Sequence, residues 1–267
     1  MSRFHSAAAG IDHLERLSCG DSPIHRLNTG VKVTATLLFL TLVISFPSKN
    51  LSGLVPFLLY PACMMPLSGT PYRPLLARLV IALPFALFGG VSNLFFMRDA
   101  AFNLGGFAVS EGLLSFASIM LKTLLCVFAV LILIATTPFN DICALLTRTR
   151  WIGVVGLQLS LTYRYIGVLV DEAQRMWTAY ILRAGVAKAI KMKDMGSFLG
   201  QLLLRSFDRA ERVYSAMKCR GFAGRYHPRK SRPLCRSDLV FLIILAAALV
   251  LMRFFNVSLF IGRGIRL

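Results

Sequence analysis

Five segments of this chain are almost continuously apolar, which is typical of helices that cross a lipid bilayer. They are Val31–Phe46, Leu51–Leu67, Leu75–Met97, Leu113–Thr137 and Leu239–Phe260. The second contains Pro56, Pro61 and Pro66, so we expect it to be kinked or broken, because proline removes a helical hydrogen bond. Pro84 and the pair Gly89–Gly90 predict a similar weak point in the third segment.

A sixth apolar stretch, Trp151–Val170, contains polar side chains that are unfavourable at the centre of a bilayer. They are Gln158, Ser160, Thr162, Tyr163, Arg164 and Tyr165. The next segment, Asp171–Asp238, has fifteen Lys and Arg against six Asp and Glu, a net charge of +9, and the positive-inside rule predicts that it stays in the cytoplasm. We therefore expect Trp151–Val170 to lie inside or along the cytoplasmic membrane face, with the N-terminus in the cytoplasm and the C-terminus outside.

Two amphipathic helices are predicted within this part of the chain, because apolar residues recur at steps of four and three. They are Ile166, Val170, Ala173, Trp177, Ile181 and Ala184 in the first helix, and Leu203, Phe207, Ala210, Tyr214 and Met217 in the second. Each pattern ends in an arginine close to a glycine, Arg183 with Gly185 and Arg220 with Gly221. Glycine readily takes the left-handed conformation that ends a helix, and a cation suits the negative end of the helix dipole.

These patterns predict an all-α, polytopic membrane protein with about five transmembrane helices and a cytoplasmic coupling domain of long amphipathic helices. The expected regions are a cytoplasmic N-terminal arm at 1–30, four spans at 31–137, the cytoplasmic domain at 138–238, and the last span with its tail at 239–267. Thr137 and Pro138 are expected to begin the cytoplasmic domain, as the N-cap and the first residue of a helix.

The composition favours the same class, because 56% of the residues are hydrophobic and only 16% are charged, against about 25% in soluble domains. The net charge of +18 would suggest a nucleic-acid partner in a soluble protein. Here most basic residues lie outside the spans, so the positive-inside rule and anionic lipid explain them, and no nucleic acid is expected. The six cysteines have no repeated spacing, which supports neither a zinc site nor a disulfide framework.

Little in the sequence points to catalysis or ion conduction. The apolar spans contain no Asp, Glu or His, the residues that relay protons or replace the hydration shell of an ion at membrane depth. Lys122 and Arg253 do lie in spans, where we expect them to snorkel or to pair with another subunit. Walker A, G-x-S-x-G and H-E-x-x-H motifs are missing from the sequence, so we predict no catalytic residue, no metal ligand and no directly bound cofactor.

Four stretches carry a family resemblance. The segment Arg209–Phe222, with Cys219-Arg220-Gly221 near its end, resembles the second coupling motif of T components of energy-coupling factor (ECF) transporters, the cobalt-type CbiQ family in particular. The other stretches are Ser22–Asn28 with Lys32, Thr137–Phe139, and Leu161–Tyr165 followed by Asp171–Met176. Two departures stand out: Cys219 replaces the family's alanine, and the first motif reads Leu182-Arg183-Ala184-Gly185, with its glycine displaced by one residue.

The resemblance implies a scaffold that joins a membrane S component, CbiM-like and with or without a small CbiN-like subunit, to two cytoplasmic ATP-binding subunits. ATP and magnesium would bind in those partners, and each arginine motif would dock in a groove of one of them. The residues assigned to this coupling are Arg183, Ala184, Gly185, Cys219, Arg220 and Gly221. The residues expected to pack the coupling helices against each other and the membrane face are Tyr163, Tyr165, Trp177, Phe207, Tyr214 and Met217.

We therefore predict a non-catalytic, multi-pass transporter subunit in the lipid bilayer of the bacterial cytoplasmic membrane, part of a cobalt importer. Nickel or a vitamin is the alternative cargo. A polytopic membrane enzyme acting on an anionic lipid is less favoured, because the basic segment lacks the dense acidic motif that would hold Mg²⁺ on a phosphate.

Overall fold

A computed structural model describes residues 18, 20, 22–47, 51–70, 72–96, 100–104, 107–148, 152–185, 190–224 and 234–254. The elements in these ranges are α1 (Thr29–Ile44), α2 (Leu51–Leu54), a 3-10 helix (Val55–Leu58), α3 (Leu59–Ser68), α4 (Tyr72–Phe96), β1 (Ala100–Leu104), β2 (Phe107–Ser110), α5 (Glu111–Thr136), α6 (Phe139–Arg148), α7 (Gly153–Ala184), α8 (Met192–Cys219) and α9 (Arg236–Phe254). The chain folds as two compact units. The larger unit contains α1–α5, the two strands and α9, and the smaller contains α6 beyond its first residue, α7 and α8.

The predicted all-α membrane architecture is confirmed. Among the residues that the structure describes, two helical stretches, Gly112–Thr136 and Gly153–Ala184, are long and apolar enough to cross a bilayer, and three shorter apolar helices accompany them at Thr29–Ile44, Val55–Ser68 and Leu75–Val91. The strands β1 and β2 pair as an antiparallel hairpin, which the hydrophobic pattern did not predict.

The core of the larger unit is built around α1 and α5. The Phe39 ring stacks on the Tyr60 ring with centroids 4.2 Å apart, and Phe46 meets Phe57 edge-on at 5.2 Å. Side chains of α5 and α9 complete the cluster, including the buried Leu125 and Leu249. Since lipid is as apolar as these side chains, close packing rather than escape from water holds such helices together.

The prolines of the second and third apolar segments have different effects. The second segment is broken, as predicted: the 3-10 helix that contains Pro56 separates α2 from α3. In the third segment, α4 runs without interruption from Tyr72 to Phe96 although Pro84 lies inside it. The expected weak point therefore does not interrupt the helix.

The N-cap predicted at Thr137 is wrong. Helix α6 begins at Phe139, and the hydroxyl oxygen of Thr137 is buried with no hydrogen-bond partner. The side chain of an N-cap residue accepts a hydrogen bond from a backbone N–H of the first turn. Pro138 stands between Thr137 and the helix, so Thr137 lies one residue too early to cap it.

In the smaller unit, α6 packs against the start of α7 at very short range. A Cβ atom on Gly156 would lie 2.6 Å from the backbone nitrogen of Thr147 and 2.9 Å from the carbonyl oxygen of Cys143. Only glycine leaves room for that approach. Helix α7 then continues for 32 residues, a length of about 48 Å at 1.5 Å per residue. The apolar stretch and the first amphipathic helix of the sequence are thus one helix.

Candidate coupling site on the helical hairpin

The C-terminus of α8 presents Arg220 on a well-defined helix end. Gly221 has a φ of 80°, the left-handed conformation predicted for it. The N–H of Phe222 donates to the carbonyl of Met217, and the N–H of Gly221 donates to that of Lys218, at 3.0 and 2.9 Å. These two bonds form a Schellman motif, which satisfies carbonyl groups at the helix end. Arg220, the C-cap residue, therefore lies exposed on a fixed turn.

Arg183 occupies a different position relative to its helix end. Helix α7 ends at Ala184, and Gly185, with a φ of 65°, is itself the C-cap residue. Arg183 is thus still helical, whereas Arg220 lies outside the helix with φ −90° and ψ 11°. The displaced glycine of the first motif has this structural consequence: the first arginine lies inside its helix, whereas the second is the residue just beyond the end of its own. Both side chains are exposed.

Two side-chain contacts show that α7 and α8 form an antiparallel hairpin. The hydroxyl of Tyr180 donates to the Asp194 carboxylate at 2.7 Å, close to the connection between the helices. Farther from that connection, Arg205 forms a salt bridge with Glu172. Residue numbers rise along one helix as they fall along the other, so the two helices run in opposite directions.

This pairing places the two arginines at opposite ends of the hairpin. Arg183 lies one helical turn beyond Tyr180, at the end where α7 connects to α8. From Asp194, which contacts Tyr180, helix α8 extends 26 residues to Arg220, which corresponds to roughly 40 Å. Two groups that far apart cannot belong to one small binding site. They can engage two separate surfaces.

An open cleft of about 1240 Å³ lies between the two helices. Its lining combines the basic side chains of Arg175, Arg183, Lys191 and Arg205, the acidic Glu172 and Asp194, and apolar groups that include Met176 and Phe198. The hydrogen bond from Arg205 lowers the pKa of Glu172, and the charges of Arg175 and Arg209 act in the same direction. Glu172 is therefore ionised and holds part of the basic lining in place.

A comparison with known protein families identifies the family of this chain. The family model of CbiQ, described as a cobalt transport protein, matches residues 20–232. The chain belongs to the CbiQ family. The match includes both helices of the hairpin and both arginine ends, and it places the chain among the transmembrane components of ECF transporters, as the sequence motifs predicted.

Relatives of this CbiQ-family chain include proteins named EcfT and CbiQ. It is 27% identical over 259 residues to the energy-coupling factor transporter transmembrane protein EcfT of Streptococcus thermophilus, covering 88% of this chain and 96% of that protein. The EcfT of Bacillus subtilis is also 27% identical, over 88% of this chain and 95% of its own length. The cobalt transport protein CbiQ of Rhodobacter capsulatus is 30% identical over 45% of this chain and 49% of its own length.

The residues expected to pack the CbiQ-family hairpin fall into two groups. Tyr163, Tyr165, Trp177 and Met217 are half-buried. Phe207 and Tyr214 leave 62% and 53% of their surface exposed, and one face of the Tyr214 ring lies under the Lys218 ammonium at 4.6 Å. The apolar stripe of α8 is therefore largely available to a surface outside the hairpin. Its packing against the membrane face stays a prediction.

Of the two coupling motifs, Ala184 and Cys219 are exposed next to their arginines, as are Gly185 and Gly221. Sequence reasoning did not find the hairpin contacts Tyr180–Asp194 and Glu172–Arg205, because neither pair has a signal in helical spacing. Lys122 and Arg253, which we expected to snorkel or to pair with another subunit, each donate to a backbone carbonyl just beyond α1, Lys122 to Phe46 and Arg253 to Ser45. That expectation stays a prediction.

Proposed function

We propose that this CbiQ-family protein is the coupling subunit of a cobalt importer in the bacterial cytoplasmic membrane. It would transmit ATP hydrolysis by two cytoplasmic ATP-binding subunits to a membrane S component that binds the cargo. In this proposal Arg183 and Arg220 each engage one ATP-binding subunit, the apolar helices cross the membrane about five times, and the subunit itself catalyses no reaction. The ATP and magnesium belong to the partner subunits.

The observation that carries the coupling role is the position of two exposed arginines at opposite ends of one antiparallel hairpin. A guanidinium group offers five N–H donors in a planar fork, which suits carboxylates and backbone carbonyls on a partner. A separation of roughly 40 Å along the hairpin suits one contact with each of two subunits better than two contacts with one. The charges of Glu172 and Arg205 hold the two helices together between these ends.

Cobalt as the cargo is supported by the description of the matching family and by the name of the Rhodobacter capsulatus relative. The name EcfT, which the longer matches carry, specifies no cargo. Specificity would lie in the S component. The test of the cargo is uptake of radioactive cobalt and nickel by cells that express this chain with its genomic ATP-binding and S components. Uptake of nickel alone would refute the cobalt assignment.

The test of the coupling role is the double variant Arg183→Ala with Arg220→Ala. We expect it to insert into the membrane normally, to recover much less ATP-binding subunit on purification, and to abolish uptake. Arg212→Ala is the matched control, because Arg212 is an equally exposed arginine on α8 that lies two turns before the helix end. Normal recovery of the ATP-binding subunits and normal uptake with the double variant would refute the proposal.

A further inference from the structure

Two cations from different helices meet at the C-terminal end of α1. The ammonium group of Lys122, in α5, donates to the carbonyl of Phe46 at 2.5 Å. The guanidinium group of Arg253, in the last turn of α9, donates to the carbonyl of Ser45 at 3.3 Å and lies 4.1 Å from the centroid of the Phe46 ring. Because the two carbonyls belong to consecutive residues, the two positive charges lie within about 10 Å of each other.

Most of the hydrogen-bonding capacity of these two groups is unused by these contacts. A lysine ammonium has three N–H donors and an arginine guanidinium has five, and the described contacts account for one of each. In the described part of the chain, Glu172 and Arg205 form a salt bridge. No carboxylate in that part of the chain pairs with Lys122 or Arg253. Among the described residues, two adjacent positive charges therefore remain without a neutralising carboxylate.

The surroundings make an uncompensated pair of cations unfavourable. Both residues belong to apolar helices of the larger unit, and each side chain is only partly accessible. In such a setting charges are screened less than in water, so the pair repels itself and attracts an anion strongly. The cluster also lies at the end of α1, beside the exposed Ser45. Long basic side chains in apolar helices extend toward the membrane–water interface, where anionic lipid phosphates attract them.

We propose that Lys122 and Arg253 form a binding site for the phosphate group of an anionic phospholipid. The remaining N–H groups of Lys122 and Arg253 would donate to the phosphate oxygens, and the Phe46 ring would hold the guanidinium in place. The phosphodiester would neutralise both cations while its acyl chains lie along the apolar surface of the larger unit. The proposal depends on the membrane location of the chain and is independent of the coupling role of Arg183 and Arg220.

The test is lipid binding by the purified full-length chain in neutral detergent, followed by native mass spectrometry and by thermal unfolding. Phosphatidylglycerol, phosphatidylcholine and inorganic phosphate are titrated separately. We expect phosphatidylglycerol to bind and to raise the unfolding temperature, and both other additions to have much smaller effects. Binding should weaken about fivefold for Lys122→Gln or Arg253→Gln and about 25-fold for the double variant, at roughly fivefold for each cation lost.

Two controls separate binding from folding. Arg253→Lys keeps the charge and should bind phosphatidylglycerol within about twofold of the parent chain, whereas Arg78→Gln removes a half-buried arginine of α4 and should leave binding unchanged. If the double variant does not fold, the test uses the single variants and the salt dependence of lipid binding by the parent chain. Binding through two cations must weaken as the salt concentration rises. Equal binding of phosphatidylcholine, saturation by inorganic phosphate at the same concentrations, or unchanged binding by the glutamine variants would overturn the proposal.

Discussion

The ammonium group of Lys32 lies 2.8 Å from the carbonyl oxygen of Thr136, to which it donates a hydrogen bond. Lys32 is in the first turn of α1, and Thr136 is the last residue of α5. Lys122 of α5 makes the reverse connection to Phe46, just beyond the end of α1. Each helix therefore supplies a lysine to the carbonyl groups at the C-terminal end of the other, where the helix dipole is negative. The two bonds lie about 21 Å apart along the helices.

The first prediction concerns the buried member of this pair. Lys32→Met should destabilise the protein by about 1–3 kcal/mol, because the buried carbonyl of Thr136 loses its donor. The same variant also removes the bond from Lys32 to the carbonyl of His25. Thermal unfolding in detergent measures the change. Thr34→Val is the control, since the exposed Thr34 bonds only to carbonyls of its own helix, and it should change stability by less than about 0.5 kcal/mol.

The second prediction tests the close contact between α6 and α7. Gly156→Ala should cost about 1–3 kcal/mol, because the added Cβ would overlap backbone atoms of Thr147 and Cys143 that cannot move aside alone. Gly167→Ala in the same helix is the matched control, since nothing lies within 4 Å of its Cβ position. That variant should instead stabilise the helix by about 0.5–1 kcal/mol. Equal unfolding temperatures for the two variants would contradict the contact.

The third prediction concerns the turn that presents Arg220. Gly221→Val should weaken binding of the ATP-binding subunits severalfold, because a β-branched residue at a φ of 80° is strained and the Schellman turn opens. Gly221→Asn should retain more binding, since asparagine tolerates the left-handed conformation. Pull-down with purified ATP-binding subunits measures both. A valine variant that binds as well as the asparagine variant would show that the turn geometry is unimportant for docking.

The fourth prediction concerns the salt bridge in the middle of the hairpin. Glu172→Arg and Arg205→Glu should each loosen the pairing of α7 with α8, because each places like charges opposite one another. Combining the two substitutions restores opposite charges and should restore the parent behaviour. Cross-linking between cysteines placed at Tyr180 and Asp194 reports on the hairpin. If the combined variant cross-links no better than either single one, the ion pair does not hold the helices together.

Local features of the sequence predicted much of this fold. The apolar runs located the helices of the larger unit, Pro56 marked the break in the second segment, and Gly221 marked the end of α8. Each of these signals involves residues within one or two helical turns of each other, so the local sequence is enough to recognise it. The arginine ends were equally visible, because a glycine next to the end of an apolar pattern defines where a helix stops.

Contacts between distant segments were not predictable in the same way. Lys32 and Thr136 are 104 positions apart, and nothing in their local pattern identifies them as partners. The sequence also did not predict that α7 is one continuous helix. Its first half is apolar and its second half is amphipathic, so the two halves have different hydrophobic patterns although both are helical. Thr137 was misassigned for the opposite reason, since its local signal was plausible but the helix begins one residue later than that signal indicates, at Phe139.

The uninterrupted course of α7 limits how this subunit can respond to its partners. No proline interrupts its 32 residues, so the half that begins beside α6 and the half that ends at Arg183 form one stiff lever. If a partner engages Arg183 as we propose, a displacement at that end would turn the helix about the close contact at Gly156, so that a large movement at one end would become a small displacement of α6 beside the contact.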